Sequence, residues 1–296
     1  MIKKLLITGG TGYLGQHLIL CATGWQTHAT YFRTPPLPSL QIAWHHCDLR
    51  DAEEVRTLIT ALHPDVIIHT ACSDRSLEDI EAIGPAARHL AQAADAFSCR
   101  LIHLSTDLIF DGEEAPYHEQ SLPEPISDYG RAKAEAEHIV AALSPQAVLI
   151  RTSLMYGMDP VDRQTRWLLD GLDKGQTVRL FTDEIRCPIW VYTLAESLLE
   201  VAQTDVTGIL HLAGPEAMTR WDIGLEILAL HQRTPAKWVV PSTRAEAGLI
   251  RPRDLTMKIE KARQILRTPL LSLREVRERL HSCDSASVRP AEESTS

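Results

Sequence analysis

The sequence predicts an α/β fold, in which a doubly wound parallel sheet is covered by helices on both faces and joined by a smaller carboxyl-terminal lobe. The first half of the chain alternates short apolar runs with segments of helical periodicity, a pattern typical of parallel strands joined by crossover helices. A glycine-rich turn between Gly9 and Gly15 joins the first apolar run to the first helical segment. With 44% hydrophobic residues, a chain of 296 residues can bury a large core.

The elements of the first half follow from these runs. Strands are predicted at residues 4–8, 27–32, 42–47, 66–70, 101–105 and 148–151. Helices are predicted between them at residues 13–21, 52–62, 77–97 and 129–143. In a doubly wound sheet the ligand is expected at the carboxyl ends of the strands.

The pattern becomes less regular after Gly157, where short strands and proline-bearing loops separate helices predicted at residues 166–173, 193–202, 220–230 and 258–266. We therefore predict a first domain at 1–157 and a smaller, mainly substrate-binding lobe at 158–281, with some segments returning to the sheet. Residues 282–296 are rich in Ser, Glu and Ala and are predicted to be a disordered tail.

Charge and cysteine usage exclude several classes of protein. The net charge of −9 argues against non-specific nucleic-acid binding, which needs clustered Lys and Arg. The six cysteines are scattered without a CxxC pair or a Cys/His spacing typical of a metal site, so free thiols and no metal are expected. No apolar run reaches the length of a membrane span, and the first apolar run ends too early for a signal peptide. We expect a cytoplasmic protein without membrane partners.

The glycine-rich turn predicts a dinucleotide site. It follows the first predicted strand and opens a helix, so a pyrophosphate could approach the helix amino terminus without side chains in its way. This is the Rossmann arrangement, and it places domain 1–157 as the dinucleotide-binding domain. The alternative is an ordinary turn between strand and helix. The candidate cofactor residues here are Gly9, Thr11, Gly12, Tyr13, Leu14 and Gly15.

The end of the second predicted strand indicates NADP rather than NAD. An acidic residue there would bind the ribose 2′-hydroxyl of NAD, whereas this chain has Arg33, whose guanidinium suits a 2′-phosphate. The alternative is a solvated surface arginine. Asp48, followed by Leu49, is placed to accept a hydrogen bond from the adenine amino group, or equally to cap a helix over residues 49–62. Ala71 and Cys72 are predicted as small wall residues beside the cofactor ribose.

Tyr129 and Lys133 are the candidate catalytic pair. Four residues apart on a predicted helix, they share one face. Tyrosine titrates near pH ~10, and a neighbouring ammonium favours the phenolate, bringing the hydroxyl toward a range useful in proton transfer. The fifth predicted strand ends at Ser105 and Thr106, where a hydroxyl could hold a substrate carbonyl oxygen. Tyr129 and Lys133 are also expected to contact the cofactor.

These motifs resemble the extended short-chain dehydrogenase/reductases, and within them the dTDP-4-dehydrorhamnose reductase-like group. The resemblance runs from Leu5 to about Leu266 through TGGTGYLG (8–15), STDLIFDG (105–112), PYHE (116–119), YGRAK (129–133), RTSLMYG (151–157) and RPRDL (251–255). It implies a catalytic triad of Thr106, Tyr129 and Lys133, with Ser105 as the less favoured hydroxyl. It also implies that residues 151–153 lie beside the nicotinamide and that the substrate is a nucleotide-activated sugar.

Two departures from the family pattern bear on the details. Many relatives have an asparagine where this chain has Ile83, which puts a proton relay through that position in doubt. Residues 73–76 lack the usual Thr-x-Val-Asp pattern, which weakens the exact substrate assignment. Candidate substrate-binding residues are Ser105, Thr106, Asp107, Arg186 and Arg251, although a solvated surface cation is the more common role for any one arginine.

The sequence thus predicts an NADP(H)-dependent oxidoreductase that reduces a keto group of a nucleotide-activated sugar, and possible assembly as a homodimer. One alternative is a non-catalytic regulatory or sensor protein that keeps the dinucleotide site. Another is a sugar-nucleotide epimerase or dehydratase. A dehydratase is less favoured because Asp107 is followed by Leu108, not by the glutamate of an Asp-Glu pair.

Overall fold

The computed structural model describes residues 2–36, 38, 40–71, 76–235 and 237–282. Its strands are β1 Lys4–Thr8, β2 Gln26–Tyr31, β3 Ala43–His46, β4 Val66–His69, β5 Arg100–Thr106, β6 Val148–Thr152, β7 Met155–Tyr156, β8 Val178–Phe181, β9 Ile185–Arg186, β10 Ile189–Trp190, β11 Gly208–Leu212, β12 Met218–Thr219 and β13 Val239–Ser242. Its helices are α1 Tyr13–Cys21, α2 Ala52–Leu62, α3 Leu77–Glu81, α4 Ile83–Ala96, α5 Asp128–Leu143, α6 Arg163–Asp173, α7 Val191–Val201, α8 Arg220–Leu230, α9 Glu260–Ile265 and α10 Leu273–His281, with a 3-10 turn at Asp107–Ile109.

Within the described residues, the main sheet has seven parallel strands in the order β11-β6-β5-β4-β1-β2-β3. The predicted doubly wound α/β fold is confirmed. The chain builds outward from β1 in one direction to β3 and then returns to add β4 on the other side, so the topology switches between β1 and β4. The central strands are apolar and buried because helices cover both faces of the sheet.

Three elements differ from the sequence-based expectation. The seventh strand, β11, and the last helix, α10, were not predicted. The helix predicted at 77–97 is two helices, which meet at Ala82. Proline has no N–H and its ring clashes with the carbonyl four residues earlier, which for Pro85 belongs to Glu81, the last residue of α3. The helical path therefore ends there and restarts.

Helix α2 begins at Ala52, three residues later than the alternative prediction of a helix over residues 49–62. Its amino-terminal cap is Asp51, whose carboxylate accepts hydrogen bonds from the backbone of Glu53 and Glu54. The expectation that Asp48 caps a helix over 49–62 is wrong. Asp48 instead binds the side chain of Arg50.

The second half packs its short strands in pairs beside the main sheet: β7 with β10, β9 with β12, and β8 with β13. One segment, β11, returns to the main sheet and pairs with β6, with Leu210 opposite Ile150. The boundaries predicted at 157 and 281 stay predictions.

Four cysteines, Cys21, Cys47, Cys99 and Cys187, are buried free thiols. Burial raises the pKa of Cys21 and Cys47 to about 12, and that of Cys99 and Cys187 to about 11, so these thiols are neutral and unreactive at physiological pH. Cys283 lies outside the described residues. Across the described ranges, no helix has the length and apolar character that crossing a membrane requires.

A buried ion pair fixes α5 to β6. The Arg151 guanidinium donates from Nη2 to Glu137 Oε2 at 2.9 Å and from Nε to both carboxylate oxygens. Both side chains are at most 5% exposed. Arg151 also donates to the carbonyl of Ser121 and stacks over the ring of Phe110. Since α5 carries the candidate catalytic pair, this ion pair determines where that pair lies.

Replacing Glu137 with alanine should lower the free energy of unfolding by about 3–5 kcal/mol, because it leaves the buried Arg151 charge uncompensated. Urea unfolding followed by circular dichroism measures the loss. The control is Glu53→Ala, which removes the exposed partner of Arg56 and should leave the midpoint nearly unchanged. A loss for Glu137→Ala no larger than that of the control would contradict the role given to this pair.

Candidate active site

The carboxyl ends of β1 and β4 form the centre of the candidate site. Gly9 follows β1 with a φ of +73°, a conformation that L side chains rarely adopt. A Cβ atom there would lie 2.7 Å from the Cα of Ala71, which follows β4. The backbone N–H of Gly9 donates to Thr30 Oγ1 at 3.1 Å. The turn thus passes close to the neighbouring strands at the topological switch point, where ligands bind in such folds.

The amino terminus of α1 is open to an anion. Its cap, Gly12, makes no side-chain hydrogen bond to the helix, and the first turn contains no acidic residue. Gly12 N–H donates to the Gly9 carbonyl at 2.9 Å, and Gln16 Nε2 donates to the Thr11 carbonyl at 2.9 Å. Unpaired N–H groups and the helix dipole suit a pyrophosphate, so these residues fit a dinucleotide.

Within this first turn, Leu14 and Gly15 are buried, and a Cβ on Gly15 would lie 2.3 Å from the Gly9 carbonyl oxygen. The Tyr13 ring packs edge-on against His17, and its hydroxyl lies against Gly157 with no hydrogen-bond partner among the described residues. The side chain of Tyr13 is therefore half-buried and packs against the core.

The residues predicted to bind the adenosine half lie at the carboxyl ends of β2, β3 and β4. Leu49 is buried and Ala71 is half-buried. Arg33 lies near the surface and forms ion pairs with Glu78 and Asp79. A side-chain hydrogen bond from Arg50 lowers the pKa of the Asp48 carboxyl. Cys72 lies outside the described residues.

Helix α5 places Tyr129 and Lys133 beside the end of β5. Lys133 is 4% exposed, and its Nζ donates to the carbonyl of Leu104 at 2.5 Å. Tyr129 lies one turn earlier on the same face and is half-buried. A Cβ on Gly130 would lie 2.2 Å from the Leu108 carbonyl oxygen, so only glycine allows this close approach between α5 and the 3-10 turn.

The hydroxyl groups at the end of β5 differ in their surroundings. Thr106 Oγ1 accepts from Leu108 N–H at 3.2 Å and donates to Asp107 Oδ1 at 3.3 Å. Ser105 Oγ is buried and has no hydrogen-bond partner among the described residues. The Thr106 hydroxyl is therefore hydrogen-bonded at the strand end by two long contacts, to Leu108 and Asp107.

Two buried histidines lie on the strands beneath Lys133. Burial, with a smaller effect of the Lys133 charge, lowers the pKa of His69 to about 3 and lowers that of His103 well below its usual value. His69 Nδ1 forms a hydrogen bond of 2.7 Å with Thr8 Oγ1. Both imidazoles are neutral at physiological pH, so they add no positive charge to that of Lys133.

A buried ion pair lies on the other side of Thr106. Asp107 is fully buried, and Arg186 donates to its two carboxylate oxygens from Nε at 2.8 Å and Nη2 at 2.6 Å. Ser153 Oγ donates to Asp107 Oδ2 at 2.6 Å. Burial alone would lower the pKa of Arg186, but the charges of Asp107 and Glu184 raise it. Two predicted substrate residues, Asp107 and Arg186, therefore bind each other.

Glu184 continues this charge network. Glu184 Oε2 lies 3.4 Å from Arg251 Nη1. Glu184 Oε1 lies 3.7 Å from Arg186 Nη1 and 3.9 Å from Arg220 Nε. Its side chain is 4% exposed, whereas that of Arg251 is 47% exposed. Of the two arginines predicted to bind substrate, Arg251 is thus the accessible one.

Sequence reasoning missed Glu137 and Glu184. Glu137 follows Lys133 by four residues and so shares its helix face, which was a usable signal. Glu184 had no comparable signal, because its partners are distant in sequence. Ile83 is buried in the core at the start of α4, where an apolar side chain can carry no proton.

Replacing Gly130 with alanine should lower the free energy of unfolding by about 1–3 kcal/mol, because the new Cβ overlaps the backbone of the 3-10 turn. The matched control is Gly84→Ala in α4, where an added Cβ meets no atom within 4 Å. Denaturant unfolding measures the free energy of unfolding of the two variants. Equal stability of the two variants would show that α5 does not depend on this contact.

Comparison with known proteins places the chain in a family. A dTDP-4-keto-6-deoxy-D-glucose reductase of Streptomyces niveus is 29% identical over 91% of this chain and 93% of its own length. Methionine adenosyltransferase 2 subunit beta of Danio rerio is 26% identical over 88% of this chain and 84% of its own. A solved structure of a hypothetical dTDP-4-dehydrorhamnose reductase from Sulfolobus tokodaii has a TM-score of 0.78 and 28% identity, covering 91% of this chain and 97% of that one.

The family model described as the RmlD substrate binding domain matches residues 3–285. The resemblance inferred from the motifs is confirmed by this match, which spans nearly the whole chain. The protein belongs to the RmlD substrate-binding domain family of the extended short-chain dehydrogenase/reductases.

Proposed function

We propose that the protein is an NADP(H)-dependent reductase that acts on a keto group of a nucleotide-activated sugar. The observation that carries the proposal is the bond from Lys133 Nζ to the Leu104 carbonyl, which places the Tyr129 helix at the end of β5 beside Thr106. The relative from Streptomyces niveus, named a reductase of a dTDP-keto sugar, supports the substrate class. A cytoplasmic location and a homodimer stay predictions.

The open amino terminus of α1 and the turn from Gly9 to Gly15 would hold the pyrophosphate of the cofactor. Leu49, Ala71 and Asp48 would line the adenosine, and Arg33 would face the 2′-phosphate. When bound, NADPH supplies the hydride for reduction of a carbonyl carbon.

The proton has a separate source. Tyr129 would donate its hydroxyl proton to the carbonyl oxygen, which gains negative charge during reduction. The Lys133 ammonium would stabilise the resulting phenolate, and His69 and His103, which are neutral, add no positive charge to this effect. Thr106 would orient the carbonyl oxygen through its hydroxyl. Arg251, exposed at the rim, would bind the diphosphate of the substrate.

A second candidate is a regulatory subunit that binds the dinucleotide without turnover. The similarity to a protein named as a subunit of methionine adenosyltransferase favours it. The set of Thr106, Tyr129 and Lys133 favours the enzyme, because a sensor needs no proton donor.

A thermal-shift panel with NADPH, NADH and dTDP-keto sugars tests the proposed function. Ligand at about 100 times its Kd should stabilise the protein by about 2.7 kcal/mol. NADPH should stabilise it more than NADH, and oxidation of NADPH should follow addition of a keto sugar. Stabilisation by NADPH without oxidation with any keto sugar would favour the regulatory candidate. If neither dinucleotide stabilises the protein, both the reductase and the regulatory candidate are overturned.

Tyr129→Phe should lower single-turnover reduction by about 10²–10⁴-fold, because it removes the proton donor while keeping the ring. The Kd for NADPH should stay near that of the wild type. Lys133→Ala should impair both, since the same ammonium is proposed to bind the ribose and to tune Tyr129. The control is Tyr156→Phe, whose hydroxyl is buried without a hydrogen-bond partner among the described residues. Unchanged turnover in Tyr129→Phe would reject its catalytic role.

A further inference from the structure

Two arginines flank the ring of Phe32 at the carboxyl ends of neighbouring strands. The guanidinium carbon of Arg33, after β2, lies 5.6 Å from the ring centroid, and that of Arg50, after β3, lies 5.1 Å from it. Because β2 and β3 are parallel neighbours, their ends bring these side chains to one edge of the sheet. Sequence reasoning considered only Arg33.

Both guanidinium groups contact the same oxygen atom. Arg50 Nη1 donates to Glu78 Oε1 at 2.6 Å, and Arg33 Nη2 forms an ion pair with that oxygen. Arg33 Nη1 also donates to Asp79 Oδ1 at 3.2 Å. Two guanidinium groups that converge on one anionic oxygen make the kind of site that binds a phosphate.

Asp48 holds Arg50 in this orientation. It accepts from Arg50 Nε at 2.9 and 3.0 Å and from Nη2 at 2.6 Å, which leaves Nη1 directed at Glu78. The hydrogen bond from Arg50 also lowers the pKa of the Glu78 carboxyl, so Glu78 is charged at neutral pH. Asp48, predicted to accept from adenine, thus has a second use as a positioning residue for Arg50.

The contacts with Glu78 can exchange with an outside anion. The side chains of Arg33, Arg50 and Glu78 are 48%, 37% and 54% exposed. Ion pairs this exposed contribute little stability, because water and salt screen them. Asp48, Glu78 and Asp79 already outnumber the two cations, so a phosphate could enter only if the Glu78 carboxylate withdrew.

We infer that Arg50 acts with Arg33 as the binding site for the 2′-phosphate of NADP(H), and that the Glu78 carboxylate competes with this phosphate for both guanidinium groups. The inference rests on the NADP(H) preference proposed above. It adds two residues that determine cofactor specificity, one that favours the phosphate and one that opposes it. NADH has no 2′-phosphate, so its binding should not respond to either residue.

The test measures binding of two probes to the full chain by isothermal titration calorimetry: adenosine 2′,5′-bisphosphate and adenosine 5′-monophosphate. Arg50→Gln should weaken the bisphosphate by about ten-fold or more, the effect of losing a hydrogen bond to a charged group, and should leave the monophosphate nearly unchanged. Glu78→Gln should tighten the bisphosphate by about two- to five-fold, as expected when a competing exposed ion pair is removed.

The matched control is Arg56→Gln in α2, which removes an exposed arginine paired with Glu53 and should change neither Kd. Thermal unfolding midpoints show whether each variant is folded. Arg50→Lys serves as a second variant, which keeps the positive charge but loses the planar guanidinium that Asp48 holds. It should weaken binding of the bisphosphate by less than Arg50→Gln does.

Equal losses for both probes in Arg50→Gln, or an unchanged bisphosphate Kd in Arg50→Gln or Glu78→Gln, would overturn the inference. If Arg33→Gln removes the preference for the bisphosphate and Arg50→Gln does not, the inference fails while the NADP(H) preference stands. If the wild type binds neither probe and neither dinucleotide, the proposed function and this inference fail together.

Discussion

The Asp107–Arg186 ion pair is the interaction on which the arrangement of the candidate site depends. A fully buried carboxylate is stable only when other groups compensate its charge, and Asp107 receives two N–H donors from Arg186 and a hydroxyl from Ser153. These partners come from different parts of the chain: Asp107 follows β5, Ser153 follows β6, and Arg186 ends β9. The pair therefore fixes β9 against the edge of the sheet where the reaction is proposed.

This pairing also affects Thr106, whose hydroxyl donates weakly, at 3.3 Å, to Asp107. An unpaired carboxylate would hold that proton strongly and keep it from a substrate. Because Arg186 and Ser153 already satisfy Asp107, the Thr106 hydroxyl can turn toward a carbonyl oxygen at little loss of hydrogen bonding. The same pair thus supports the substrate side of the site structurally and leaves the proposed carbonyl-binding hydroxyl available.

The hydrophobic pattern along the chain was enough to predict the central strands of the sheet. The apolar runs and the glycine turn predicted the strands around β1, because a buried parallel strand and its crossover helix both have strong sequence periodicity. Strand β11 was missed because GILHL is a short apolar run without that context. The break at Ala82 and helix α10 had readable signals, Pro85 and the capping box between Ser272 and Glu275, which the periodicity analysis passed over.

The arginines show where sequence reasoning ends. Arg33, Arg186 and Arg251 were each given a phosphate or substrate role from position alone, yet partners far away in the chain decide what each guanidinium can do. Arg186 is buried against Asp107, seventy-nine residues away, and cannot reach a ligand without leaving that carboxylate unpaired. Arg251 keeps a 47% exposed side chain, whose Nη1 lies 3.4 Å from Glu184 Oε2 and whose guanidinium lies over the ring of Phe181. Binding a diphosphate disrupts less for an accessible cation than for a buried, paired one, so the proposed substrate role is better suited to Arg251 than to Arg186.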